Sequence, residues 1–191
     1  MGLAASAAFF FPTNGLDWQP TLWPSQPWRC WSAAWVHWSA QHLGMNYLGL
    51  GAVAVLGWRA GLGTRASGAW ALSWPLTQLG LLVQPGLLHY GGLSGWVHAG
   101  VAVAACHLLL EAGRRQRERV VGAAIALGLV LKIGLEQPLA SPPLRHVAGL
   151  DFALAPLAHL SGALAGGLAV LLVLLVALVA RAFRAWRRRP R

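Results

Sequence analysis

Ser94 stands in the string Gly92-Leu93-Ser94-Gly95, and His159 stands far downstream, ahead of Ser161, Gly162, Gly166 and Gly167. A serine hydroxyl is a poor nucleophile until a base removes its proton, and an imidazole does that near neutral pH. The flanking glycines let backbones pack close and leave the Ser94 hydroxyl accessible. The string alone is not distinctive, because short Gly-Ser motifs also mark plain helix contacts. Nor is it the G-x-S-x-G elbow of soluble hydrolases, since Trp96 fills the last glycine position. Gly162 and Gly166 give the His159 segment a small-xxx-small face, and Gly95, His98 and Ala102 follow Ser94. Two such faces can bring hydroxyl and imidazole within about 3 Å, as proton transfer needs. His98 is a rival base, but it lies one turn deeper on the helix of Ser94 and reads better as a packing or substrate-path residue.

Three further groups of polar residues have spacing that matters. His42 and Asn46 are four apart and share one helix face. Both can donate hydrogen bonds, so with the Ser94 amide they could hold the oxyanion of an acyl-transfer step, worth about 3 kcal/mol per donor. The plain alternative is hydrogen-bonded glue between helices, about 1 kcal/mol or less. His37, nearer the surface, would contact a loop or water. Lys132 and Glu136 also share a face and neutralise each other, either as a structural ion pair or in substrate recognition. The acid nearest His159 along the chain is Asp151, two turns away at the surface. No metal-ligand pattern occurs, and the chemistry calls for no metal and no cofactor.

The elements that carry these residues are apolar. Of 191 residues, 57% are hydrophobic and 10% charged, against about 25% charged in a soluble domain. Uncharged stretches near twenty residues recur, the length a helix needs to cross a bilayer. They run from Trp31 to Trp58, Ser67 to Tyr90, Gly92 to Leu110 and Phe152 to Ala180, with a further run from Val120 to Ala140 interrupted by Lys132 and Glu136, after a short run from Met1 to Phe11. The expectation is one all-α domain over 1–191: a polytopic helical bundle with about six spans, the first short or truncated. Residues 1–12 form that short segment, 13–30 an interfacial loop, 31–180 a five-span core and 181–191 a basic tail. Inside such a bundle every ionisable side chain is costly and becomes a functional candidate.

The net charge of +10 falls in clusters between apolar runs: Arg59 and Arg65, Arg114 to Arg119, and Arg181 to Arg191. That distribution reads as cytoplasmic loops and not as a nucleic-acid face. It puts the C-terminus in the cytoplasm and the Ser94 end outside. Trp18, Trp23 and Trp28 are expected at the membrane interface. Cys30 is expected near the outer surface and Cys106 inside a span, with no disulfide between them.

Three strings together resemble the rhomboid intramembrane serine proteases. WRCWSAAWVHWSAQHLGMNYLGLG is similar to the rhomboid segment in which a histidine and an asparagine four residues later open the second span. GLSG resembles the nucleophile motif, and AHLSGALAGG the last span with its histidine. The resemblance covers Trp28 to about Leu168. It implies Ser94 as nucleophile, His159 as base, His42 and Asn46 as oxyanion donors, and a dyad without a third acid. YGGLSGWVHAG and LKIGLEQ resemble the rhombosortase subfamily. This implies a multi-pass protein of a Gram-negative inner membrane that cleaves exported, tail-anchored proteins of the GlyGly-CTERM type on the periplasmic side. A non-catalytic rhomboid-like binder of membrane helices and a small transporter are the alternatives; the first usually lacks the serine or histidine, and the second gives no reason for GLSG.

Overall fold

A computed structural model describes residues 15–187, so the short segment 1–12 lies outside the described residues. The architecture is all-helical: α1 (Arg29–Ser32), α2 (Ala40–Arg59), α3 (Thr64–Leu79), α4 (Ser94–Leu110), α5 (Gln116–Glu136) and α6 (Pro156–Arg187). No strand forms among the described residues; isolated bridges pair Trp18 with Tyr90 and Arg145 with Leu154.

The helix ends follow local chemistry more closely than they follow the apolar runs. The segment from Trp31 becomes regular helix only at Ala40. Ser39 is extended there (φ −152°, ψ 162°), and its hydroxyl accepts the His42 N–H at 3.0 Å, the usual N-cap arrangement. α3 stops at Leu79, and a 3-10 turn, Gly80–Val83, leads to Gln84, which precedes Pro85. A residue before proline is pushed out of helical geometry, and Gln84 lies at φ −123°, ψ 86°. Pro156 opens α6, where its missing N–H costs nothing. α6 then runs on through Arg187, so residues 181–187 of the expected basic tail continue the helix.

α4 is the centre of the bundle, packed against α2, α3, α5 and α6, most extensively α6. Small residues and valines, among them Ala99, Ala102, Val103, Ala104 and Ala105, are buried along it. Among the described residues one helix, Pro156–Arg187, is long and apolar enough to cross a membrane, with a mean hydropathy of 2.9 over an 18-residue stretch. The others fall short for identifiable reasons. At 1.5 Å per residue, the 16 residues of α3 and 17 of α4 reach about 24–26 Å, less than a ~30 Å hydrocarbon core. α2 is long enough but carries Gln41, His42 and Asn46, and α5 carries five charged residues, Arg117, Glu118, Arg119, Lys132 and Glu136.

Polarity is distributed against the rule for water-soluble proteins. His42, Asn46, Ser73, Thr77, Gln78, His159 and Ser161 are buried, while Leu48, Val55 and Trp58 on α2, Leu127, Val130 and Leu135 on α5, and Leu164, Leu175 and Val179 on α6 are exposed. Interior hydrogen bonds tie the helices together alongside the apolar clusters. Trp70 and Trp96 exchange indole N–H donors with each other's carbonyls at 2.9 and 2.8 Å, and Ser161 donates to the Thr77 carbonyl at 2.7 Å. Arg114 donates to the Ala60 carbonyl at 2.9 Å, so the basic ends of α2 and α4 meet.

Candidate active site

Ser94 is the first residue of α4, and His159 lies in the first turn of α6. The two helices touch through glycine. A Cβ on Gly162 would overlap the carbonyl of Gly95, and one on Gly166 would overlap that of Ala99. Gly95 in turn faces the Ala158 carbonyl, where a Cβ would come within 2.7 Å. The small-residue face expected on α6 is therefore the contact face, met by Gly95 and Ala99 on α4. This approach sets Ser94 and His159 on adjoining first turns, and both line one cavity of about 800 Å³.

His42 and Asn46 line the same cavity. They converge on the backbone just before the serine. Gly92 has φ +113°, a conformation that favours glycine, and a Cβ there would come within 2.7 Å of His42 Nε2 and 3.4 Å of Asn46 Nδ2. Asn46 donates one hydrogen bond to the His42 carbonyl at 3.0 Å, which leaves its second amide hydrogen free to serve another acceptor. His42 Nδ1 is buried without a partner. A bare lone pair there costs less than an orphaned N–H, so the proton belongs on Nε2, facing Gly92. Ser94 opens its helix, where backbone N–H groups lack intrahelical acceptors and the dipole is positive.

His159 is 4% exposed and gives Nδ1 to Glu136 Oε2 at 2.7 Å. Glu136 Oε1 meets the Lys132 ammonium, so the ion pair read from the sequence is present. The contact to His159 corrects the expectation of no nearby carboxylate. Glu136 ends α5 and Gln137 turns the chain (φ 48°), which brings that helix end against the start of α6. Asp151, the acid weighed instead, bonds the Ser39 hydroxyl. His98 also lines the cavity; its Nδ1 is 2.7 Å from the Ser94 carbonyl oxygen, and its ring stacks on His159 with centroids 4.1 Å apart. It packs on His159 rather than competing with it for the Ser94 hydroxyl. No hydrogen bond joins His159 to Ser94 among the described residues; the Ser94 hydroxyl sits 3.5 Å from that of Tyr90. Catalytic hydrogen bonds are often long before substrate binds.

Other positions differ from expectation. His37 is buried, its Nδ1 3.2 Å from the Trp35 carbonyl and its ring edge-on to His42 at 4.8 Å, so of the two contacts expected for it the loop is the one it makes. Trp18 is fully buried, drawn in by its bridge to Tyr90 and packed on Trp23; Trp28 alone of the three is largely exposed. Cys30 is buried in the same cluster, and burial pushes its thiol up to about 11. Tyr90, given no role in the sequence reading, and Phe152, outside every motif, also line the cavity. Phe152 stacks on His42 at 4.4 Å, and its segment is tied to α2 by Gln41, which bonds the Gly149 carbonyl and the Asp151 N–H. Asp17, held by Arg29 and His89, also faces the cavity; a buried acid in a polar loop leaves no sequence signal. The chain matches no protein-family model, no curated protein and no solved structure.

Proposed function

We propose that this chain is a serine endopeptidase of the rhomboid type, working within a membrane on exported proteins anchored by a C-terminal helix, of the GlyGly-CTERM kind. The observation that carries the reading is the glycine contact between α4 and α6. It brings a serine at a helix start beside a buried histidine, in a cavity that also holds two side-chain donors. The inverted polarity of the bundle supports a membrane setting beyond the single long helix. Apolar outer faces on α2, α5 and α6 suit lipid, and the basic residues at the joined ends of α2 and α4 suit a cytoplasmic surface. In this reading the chain passes several times through the inner membrane of a Gram-negative bacterium, with the cavity open to the periplasm.

The mechanism follows from the atoms available. Ser94 Oγ attacks a peptide carbonyl carbon as His159 Nε2 accepts its proton. His42 Nε2–H, Asn46 Nδ2–H and the Ser94 N–H receive the developing oxyanion, each donor worth about 3 kcal/mol in the transition state. His159 then gives the proton to the leaving amine as the C–N bond breaks, and water releases the acyl group by the same steps.

The test is reaction of the full chain in detergent with a fluorophosphonate probe. The wild type is expected to label at Ser94, while Ser94→Ala and His159→Ala do not. Equal labelling of wild type and Ser94→Ala overturns the reading. Co-expression with a GlyGly-tailed protein, followed by mass determination of its new C-terminus, tests the substrate class.

A further inference from the structure

Glu136 takes no part in the scheme above, and its position needs a reason. It is the last residue of α5, the helix end at which the unpaired carbonyls make a carboxylate unwelcome. Its two oxygens are divided between two helices. Oε1 meets Lys132, one turn earlier on α5, and Oε2 meets His159 Nδ1 on α6. A local ion pair would need only the first contact. α5 and α6 touch at little else, so the second contact is not a by-product of close packing.

The second contact decides the chemistry of His159. A carboxylate on Nδ1 fixes that proton there and leaves the lone pair on Nε2, the tautomer that can accept a proton from Ser94. The flat stack of His98 blocks one face of the ring and holds its plane. The charged and titratable groups facing His159 are therefore Glu136 and Lys132 on α5 and His98 on α4.

We propose that Glu136 is the third member of a Ser94–His159–Glu136 triad, a positioning residue that fixes the His159 tautomer and stabilises its imidazolium. This rests on the hydrolase reading and deepens it. When Ser94 Oγ bonds to the substrate carbon, its proton goes to His159 Nε2. The Nδ1 proton stays on His159 and Glu136 stays ionised. The Nε2 proton then passes to the leaving nitrogen as the C–N bond breaks. Lys132 keeps the carboxylate charged throughout.

The experiment measures the rate of fluorophosphonate labelling at Ser94 per folded molecule of the full chain in detergent. Glu136→Gln keeps the shape but can present an amide N–H to Nδ1, which leaves the wrong tautomer. The expected loss is on the order of 10²–10⁴-fold, with Glu136→Asp, which keeps the charge, at least about tenfold faster than Glu136→Gln. A purely structural role predicts a lower melting temperature with normal labelling of the folded fraction, and that result overturns the triad. So does equal labelling of the Gln and Asp variants. Should neither variant fold, ¹⁵N-histidine spectra of the wild type decide: the His159 signal, assigned by its loss in His159→Gln, is expected as the Nδ1–H tautomer, and Nε2–H overturns the proposal. Wild-type protein that labels no better than Ser94→Ala removes the hydrolase reading and the triad with it. Labelling that depends on Ser94 but ignores Glu136→Gln removes the triad alone.

Discussion

Gly162→Ala is the sharpest test of the contact on which the site depends. Gly162 lies three residues after His159 and so faces the same side of α6. An added Cβ would overlap the Gly95 carbonyl oxygen and lie 2.6 Å from its carbon, where ordinary contact begins at 3.4 Å. Both atoms are backbone, so no side chain can rotate away. α6 must back off from α4 by at least the difference of these distances, about 0.8 Å. His159 rides on the same rigid turn and moves with it. A misplacement near 1 Å costs about 10²-fold in rate, and overpacking costs about 1–3 kcal/mol in stability. Gly167→Ala is the control. Nothing lies within 4 Å of its added Cβ, and alanine favours helix over glycine by up to about 1 kcal/mol. The assays are fluorophosphonate labelling at Ser94 and thermal unfolding followed by tryptophan fluorescence. If Gly162→Ala labels as fast as Gly167→Ala, the glycine contact does not set the catalytic geometry and the argument from packing to chemistry fails.

His42→Ala and Asn46→Ala are each expected to lower the cleavage rate of a GlyGly-tailed substrate about 10²-fold with little change in substrate binding; losses under threefold in both would make them interhelical glue. Cys30 tests the outer loop. With its thiol pushed up to about 11 by burial, only about 0.1% is thiolate at pH 8. Maleimide labelling of Cys30 in a Cys106→Ser background should be slow and rise about tenfold per pH unit toward that value; rapid labelling at pH 7 would contradict the buried position.

The sequence made Ser94, His159, His42 and Asn46 conspicuous because a polar side chain in an apolar stretch needs a reason, and one cavity holds all four. The small-xxx-small spacing of Gly162 and Gly166 marked the contact face of α6, but the spacing could not show how closely the backbones meet there. Gly162 and Gly167 are the same letter on the same helix, yet one meets a backbone carbonyl and the other open space. The contact of Glu136 with His159 escaped for a related cause. Lys132, four residues earlier, is an adequate local partner, and only the placement of α5 beside α6 shows that His159 claims the other oxygen. Trp18 was misplaced because composition assigns tryptophan-rich loops to interfaces, whereas the Trp18–Tyr90 bridge pulls this residue into the core.

The position of the site along the bundle follows from the same polarity. Ser94, His159 and His42 lie at the starts of α4, α6 and α2, and Glu136 at the end of α5. Helix ends already carry backbone groups without intrahelical partners, so polar side chains placed there add less to the desolvation cost than they would at mid-helix. Farther along the bundle Ala66, Ala69, Val103 and Ala169 form an apolar cluster without charged groups. In the proposed membrane setting, hydrolysis has to meet water without opening the bundle to lipid. Gathering four chain-distant residues at one end satisfies both demands, and it is the end away from Arg114 and the Ala60 carbonyl that it binds. In the proposed reading, that puts the site on the side of the membrane opposite the basic loops.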